Sequence, residues 1–277
     1  MCNTPEDLDL EGIDTVAIDI ETYDPNLKTK GLGAIRGDGF ITGVAVATGK
    51  DTVYFPLHHS DVVKSDDEKK EFWDQMNKKL LQNDKITKVF HNAMYDVCWL
   101  RAYGVKINGR IVDTMVMASL LDENRFSYAL NSIASQYLGE YKNEATLKKA
   151  AAELGLDPKS EMYKLPSQFA GEYAEADARL TLKLHHKLSA EITTDSLQTI
   201  YDMECRLINV ILSMTKRGVR VDIPKSLRLI EQFKNKEKKL IKRINELTGL
   251  RVEIWSAASI AAAFDSMNFT ISSKDIL

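Results

Sequence analysis

Two carboxylates two residues apart, Asp19 and Glu21, interrupt the stretch TVAIDIETYD (15–24), whose remaining pattern is that of a strand. Val16, Ile18 and Ile20 alternate with Ala17, Asp19 and Glu21, and because strand side chains point to opposite faces in turn, both acids share one face. Crowded carboxylates repel one another and resist ionising, so such a face calls for cations. Two later stretches offer more acids at helical spacing: HNAMYDVCWL supplies Asn92 and Asp96, and EYAEADARLTL supplies Tyr173 and Asp177. Each pair lies at i and i+4, on one face of its helix. Four carboxylates from one strand and two helices make a hard oxygen donor set, suited to Mg²⁺ or Mn²⁺ rather than to zinc. A DxE on a strand or a YxxxD on a helix is weak evidence alone; the ordered set is what points to a metal centre.

The elements that must bring these acids together alternate in type over the first half of the chain. FITGVAVAT and DTVYFPL, β-branched and aromatic runs between Gly and Asp punctuation, read as neighbours of the opening strand in a meander. The pattern then predicts an amphipathic helix from Asp66 to Gln82, a short strand KVFHN, a helix from Ala93 to Tyr103, and a strand RIVDT running into MVMASLL. From Phe126 onward the apolar spacing is helical almost throughout. A central sheet flanked by helices, an α/β arrangement, is the simplest assembly. Near Gly218 the pattern changes. Glycine stands where a helix should stop, Val219 to Val221 reads as a short strand, and Asp222 and Pro224 open a helix reaching Leu247, with another in SAASIAAAFDSM.

Composition narrows the class. At 277 residues and 44% apolar content the chain can build a sizeable core. No run of about 18 apolar residues is present, and the start MCNTPEDLDLEG lacks the basic and greasy regions of a signal peptide, so no membrane span and a cytoplasmic setting are expected. Cys2, Cys98 and Cys205 are an odd number without CxxC spacing, which argues against a disulfide scaffold or a structural zinc and for reduced thiols. The net charge of −3 hides an asymmetry: from Lys216 to Arg243 eleven basic residues face three acids, a local +8 that leaves −11 elsewhere. Such a segment can follow a phosphate backbone or form the solvated face of a long helix.

With these motifs in order, the chain resembles the DEDD exonucleases carrying the tyrosine variant of the third motif, specifically the 3′→5′ proofreading domain of family A DNA polymerases. AIDIET is similar to the first motif, VFHNAMYDVCWLRAYGV to the second, VDTMVMASLL to the aspartate-threonine helix start after it, and GEYAEADARLTLKLHHKL to the third. MECRLINVILSMTKRGVRVD resembles the segment leading into the polymerase thumb, and VEIWSAASIAAAF the thumb pattern beyond it. The resemblance implies a ribonuclease H-like mixed central sheet flanked by helices, with an exonuclease domain over 1–192 and a helical linker and partial thumb region over 193–277.

For the site it implies that Asp19, Glu21, Asp96 and Asp177 hold two Mg²⁺ (or Mn²⁺), one among Asp19, Glu21 and Asp177 and the other between Asp19 and Asp96. Tyr173 would position the attacking water, and Thr22, Asn92 and Tyr95 would contact terminal nucleotides. The implied substrate is a single-stranded or frayed DNA 3′ end, with Tyr23, Tyr95 and Phe126 as stacking candidates. No palm or fingers sequence follows, so a truncation and a split polymerase with a separate palm and fingers chain are both expected arrangements, neither synthesising DNA through this chain alone. Two alternatives stand beside this one: an RNA-trimming exonuclease of the ribonuclease D type, against which the thumb-like tail speaks, and a non-catalytic DNA-binding or assembly subunit relying on the basic segment.

Other features carry less. GLGAIRGDG lacks the Walker lysine and the dinucleotide spacing and reads as a mobile loop between strands. The adjacent pairs His58-His59 and His185-His186 point in different directions and make poor joint ligands. The charged segment between Gly139 and Gln168 precedes the third motif and reads as shaping the entry for the strand or binding a partner.

Overall fold

The alternation read in Thr15–Tyr23 becomes β1, the middle strand of a five-stranded sheet in the computed structural model, which describes residues 4–271. Phe40–Ala47 (β2) and Thr52–Pro56 (β3) extend the sheet antiparallel on one side. Thr87–Phe90 (β4) and Ile111–Asp113 (β5) extend it parallel on the other, giving the order β3-β2-β1-β4-β5. Between β1 and β2 lie two short helical turns, Leu27–Lys30 (α1) and Gly33–Arg36 (α2). Parallel neighbours need crossovers. Asp66–Met76 (α3), continued by a π-helical turn at Asn77–Leu81, leads to β4, and Ala93–Ala102 (α4) leads to β5. Thr114–Leu121 (α5), Leu130–Leu138 (α6), Ala145–Glu153 (α7), the long Ser167–Thr194 (α8) and Gln198–Arg217 (α9) follow. The expected ribonuclease H-like layout of a mixed sheet between helices is the observed one.

The two sheet faces differ in side-chain size, and that difference places the site. One face carries Val16, Ile18, Ile20, Val44 and Val46, packed with Trp73, Met76, Trp99 and Leu100 from α3 and α4. The other carries Ala17, Ala45 and Ala47, packed with Ala174 and Ala178 of α8 and with residues of α5, α6 and α9. Small residues on both partners let α8 lie close over β1, β2 and β3. Gly43 is paired with Glu21 across β1 and β2, and a Cβ there would fall 2.0 Å from the Tyr54 hydroxyl. Asp19 and Glu21 share the face of Ala17 and therefore look toward α8.

Two local expectations are revised. The GLGAIRGDG stretch is not a loose loop: Arg36 ties it to Asp24 at 3.1 Å and to Asp38 at 2.6 Å, and the Gly33 N–H donates to Asp24. No strand forms at Val219 to Val221, because a strand needs a neighbouring edge and none pairs with it among the described residues. By packing, the chain divides into compact units at Arg217 and Gly218, a division separate from the exonuclease boundary expected at 192/193. The reason is α9, whose Tyr201, Cys205, Ile208 and Leu212 are buried in the cores of the first unit.

In the second unit Asp222 caps Ile223–Thr248 (α10) by accepting from the Lys225 N–H at 3.0 Å, and Gly249 ends the helix in the left-handed region at φ 68°. Ala257–Ser266 (α11) follows. Cys98 and Cys205 are buried free thiols, whereas Cys2 lies outside the described residues. Among the described residues no helix is long and apolar enough to cross a membrane.

Candidate active site

Where α8 crosses β1, Asp177 comes down onto Asp19 and Glu21, and each residue offers a carboxylate oxygen within 4.8 Å of the others. Asp19 and Glu21 are partly exposed and Asp177 is buried. Asp19 Oδ2 and Asp177 Oδ1 are buried without a hydrogen-bond partner. Unpaired buried carboxylate oxygens are costly, and a divalent cation with hard oxygen preference would satisfy them, so the donor set fits such an ion. Tyr173 stands one helical turn before Asp177 and is half-buried.

Asp96 reaches the site by a different route. β4 pairs with β1 only as far as Ala17↔Val89. Beyond that point the Ile20 N–H donates instead to Asp96 Oδ1 at 3.2 Å, so a side chain from the first turn of α4 fills the gap in the ladder. Asp96 is buried and its charge is felt at Glu21, but it stands outside the tight group of three.

The start of α4 is held in an unusual conformation. Asn92 adopts φ 71°, a left-handed geometry that asparagine tolerates. Asp113, at the end of β5, accepts from the Asn92 N–H at 2.9 Å, the Ala93 N–H at 2.8 Å and the Met115 N–H at 2.8 Å, capping α5 while fixing the approach to α4. His91 bridges the Thr114 hydroxyl at 2.8 Å and the Tyr128 carbonyl at 2.9 Å. Thr22 and Tyr95 share a 2.5 Å hydroxyl contact at the edge of the acids, while Asn92 itself is exposed. Of the stacking candidates, Tyr23 joins Phe40 and Tyr163 in an aromatic cluster with ring centroids 5.3 and 4.6 Å away, and Phe126 is fully exposed.

Sequence reasoning missed one residue here. Lys142, between α6 and α7, donates from Nζ to Asp177 Oδ2 at 2.6 Å and to the Tyr173 hydroxyl. A lysine in a charged segment carries no signal of such a position. Asp113 reads in the sequence only as part of a helix start, and the fold makes it the acceptor for three N–H groups.

The electrostatics follow from the crowding. Withdrawal from water, and then the neighbouring Asp177 carboxylate, push Asp19 up to about 8, with Lys142 opposing. Burial followed by Asp19 raises Glu21 and Asp96 well above the usual carboxylate range, and burial raises Asp177 despite Lys142. A carboxyl whose pKa is higher in the fold than in the unfolded chain binds an extra proton on folding, so its stabilising contribution is lost as pH rises. For Asp19 that contribution is complete below 3.8 and disappears as pH climbs through about 8. The melting temperature in chelator should therefore fall between about pH 5 and pH 8, and Mn²⁺ should flatten the fall by favouring the ionised acids. Thermal scans in EDTA and in Mn²⁺ across that range check this; a decline of equal slope in both would contradict it.

Comparison with known proteins agrees with this geometry. Residues 6–193 match the family model described as 3'-5' exonuclease. A DNA-directed DNA polymerase of Pseudomonas phage M6 is 30% identical over 269 residues, covering 94% of this chain and 40% of that protein. The chain thus spans well under half the length of that relative. The fold is similar to the POL domain of Pol1 from M. smegmatis in complex with DNA primer-template and dNTP, with TM-score 0.62, 19% identity, and coverage of 91% of this chain and 37% of that one. It is also similar to Escherichia coli RNase D, an exoribonuclease, with TM-score 0.53, 15% identity, and coverage of 97% and 59%. At those identities the two structures speak for the fold alone. An acid cluster beneath a helix bearing a Tyr-x-x-x-Asp pair, and a family match spanning most of the chain, have one meaning: the chain belongs to the 3′-5′ exonuclease family, in the form carried by family A DNA polymerases.

Proposed function

We propose that the chain removes nucleotides one at a time from DNA 3′ ends, as the proofreading part of a family A polymerase. The observation that carries this reading is the convergence of Asp19, Glu21 and Asp177 within 4.8 Å, with buried oxygens left unpartnered. Asp19, Glu21 and Asp177 would hold one divalent ion, Mg²⁺ or Mn²⁺, and Asp19 with Asp96 a second. Bound ions of this kind make water more acidic and neutralise charge developing on a leaving 3′ oxygen.

The chain's own side chains supply orientation. Burial, then the charges of Glu21 and Asp177, push the Tyr173 phenol further above its ordinary range, so it stays protonated and acts by hydrogen bonding rather than as a base. Thr22 and Tyr95, joined through their hydroxyls, and the exposed Asn92 would contact the terminal nucleotide in this reading. Backbone contacts and stacking tolerate any sequence, which suits single or frayed strands.

On the second unit, Leu227, Ile230, Phe233, Leu240 and Leu247 form an exposed apolar stripe along α10. An apolar stripe of this extent supports a covering partner, which we assign to the remainder of a polymerase, in the same longer chain or in a separate palm and fingers chain.

Incubation of 5′-labelled DNA and RNA single strands with Mg²⁺ tests the substrate. Stepwise shortening of the DNA, abolished by EDTA, is expected; shortening of RNA alone would replace the reading with RNA trimming, and no shortening would remove it. In the same assay Tyr173→Phe should slow the DNA reaction about 10²-fold, the low end of the roughly 10²–10⁴ that a positioned proton-handling group contributes, since the acids remain. An undiminished rate would remove Tyr173 from the mechanism.

A further inference from the structure

Lys142 is one-tenth exposed and makes its contacts inside the acid cluster, on residues that the exonuclease reading already uses. Its backbone is pinned, because the Lys142 N–H donates to Asn131 Oδ1 of α6 at 3.0 Å. Its ammonium donates to Asp177 Oδ2 at 2.6 Å and to the Tyr173 hydroxyl, and it stands 3.9 Å from the centre of the Tyr173 ring. Glu144, the other acid within reach at 4.0 Å, is engaged by Lys148 at 2.7 Å and does not draw Lys142 away.

We propose that Lys142 is a positioning residue of the exonuclease centre, locking Asp177 and Tyr173 into one geometry. The proposal rests on the exonuclease reading above. Asp177 has two oxygens; with Oδ2 taken by the ammonium, Oδ1 is the one left unpartnered in the cluster. Tyr173 has one proton and two lone pairs. By occupying a lone pair, Lys142 leaves the phenolic proton free to be donated to a water or phosphate oxygen. An ammonium lacks acceptors and keeps three donors, so it can serve both partners at once. It also adds a positive charge beside the acids that would hold divalent ions, so Lys142 opposes metal binding while improving the alignment of what is bound.

That opposition gives a signature separating positioning from a plain structural role. Lys142→Met keeps length and removes charge. Turnover on single-stranded DNA should fall at least tenfold with KM within threefold of the parent, while Mn²⁺ titrated calorimetrically against the full chain should bind at least threefold tighter. Asn131→Ala loosens the backbone anchor and keeps the ammonium; it should shift both quantities the same way by less, and it decides alone if the methionine variant does not fold. Turnover within threefold of the parent or faster overturns the proposal, as does slower turnover with Mn²⁺ binding unchanged or weaker. A parent chain that shortens no strand defeats the exonuclease reading and this inference with it. An active parent with an equally active Lys142→Met defeats the inference alone.

Discussion

Asp19→Ala combined with Glu21→Ala is expected to reduce Mg²⁺-dependent shortening of DNA by at least about 10³-fold, because single preorganised charge-stabilising groups are worth roughly 10²–10³ and the pair provides most of the donor set. The fold should survive. Both acids lie on the α8-facing side of β1, where alanine already stands at positions 17, 45 and 47, so the substitution continues an existing surface. The variant should even melt higher than the parent in chelator near pH 8, since it loses carboxylates whose ionisation the surroundings resist. Saturating Mn²⁺ should stabilise the parent by about 2.7 kcal/mol at 100 times Kd and leave the variant where it was. Turnover assays and thermal scans read these effects; cleavage persisting within tenfold of the parent would separate the acids from the chemistry.

Asp113→Ala is the second large effect, and it acts on stability. Three N–H groups, from Asn92, Ala93 and Met115, converge on this buried carboxylate at 2.8 to 2.9 Å. Alanine would leave all three donors without this partner, the Ala93 N–H fully buried and the other two part-buried. Each unsatisfied buried group costs about 1–3 kcal/mol, so a loss of about 3–5 kcal/mol is expected after partial relaxation. Denaturant titration measures it. Since Asp113 also holds the left-handed Asn92 that starts α4, the surviving folded fraction should show a displaced Asp96 and a reduced rate. A destabilisation below about 1 kcal/mol would mean that other groups or water take over the three donors.

The five strands and the helix before each parallel strand were legible because period-two and period-3.6 apolar patterns follow directly from backbone geometry. The acids Asp19, Glu21, Asp96 and Asp177 were legible for a related reason: each sits on a regular element at a spacing that fixes its face. Local signals failed where a long-range partner decides. Val219 to Val221 has β-branched residues but no edge to pair with, and GLGAIRGDG reads as loose until Arg36 is seen between Asp24 and Asp38. The packing of α9 was not legible either, because it looks like any amphipathic helix and only the fold shows which cores its Tyr201 and Ile208 enter.

By itself, then, the sequence determined which residue types could hold divalent ions and which elements carry them, since those depend on neighbours three or four positions away. The tertiary structure decided which acids meet. It brought Asp177 against Asp19 and Glu21, set Asp96 into the ladder gap at Ile20, and inserted Lys142 from a segment with no pattern of its own. Distances between residues tens to more than a hundred positions apart depend on how small faces such as Ala17, Ala45 and Ala174 let one layer approach another, and no local spacing encodes that.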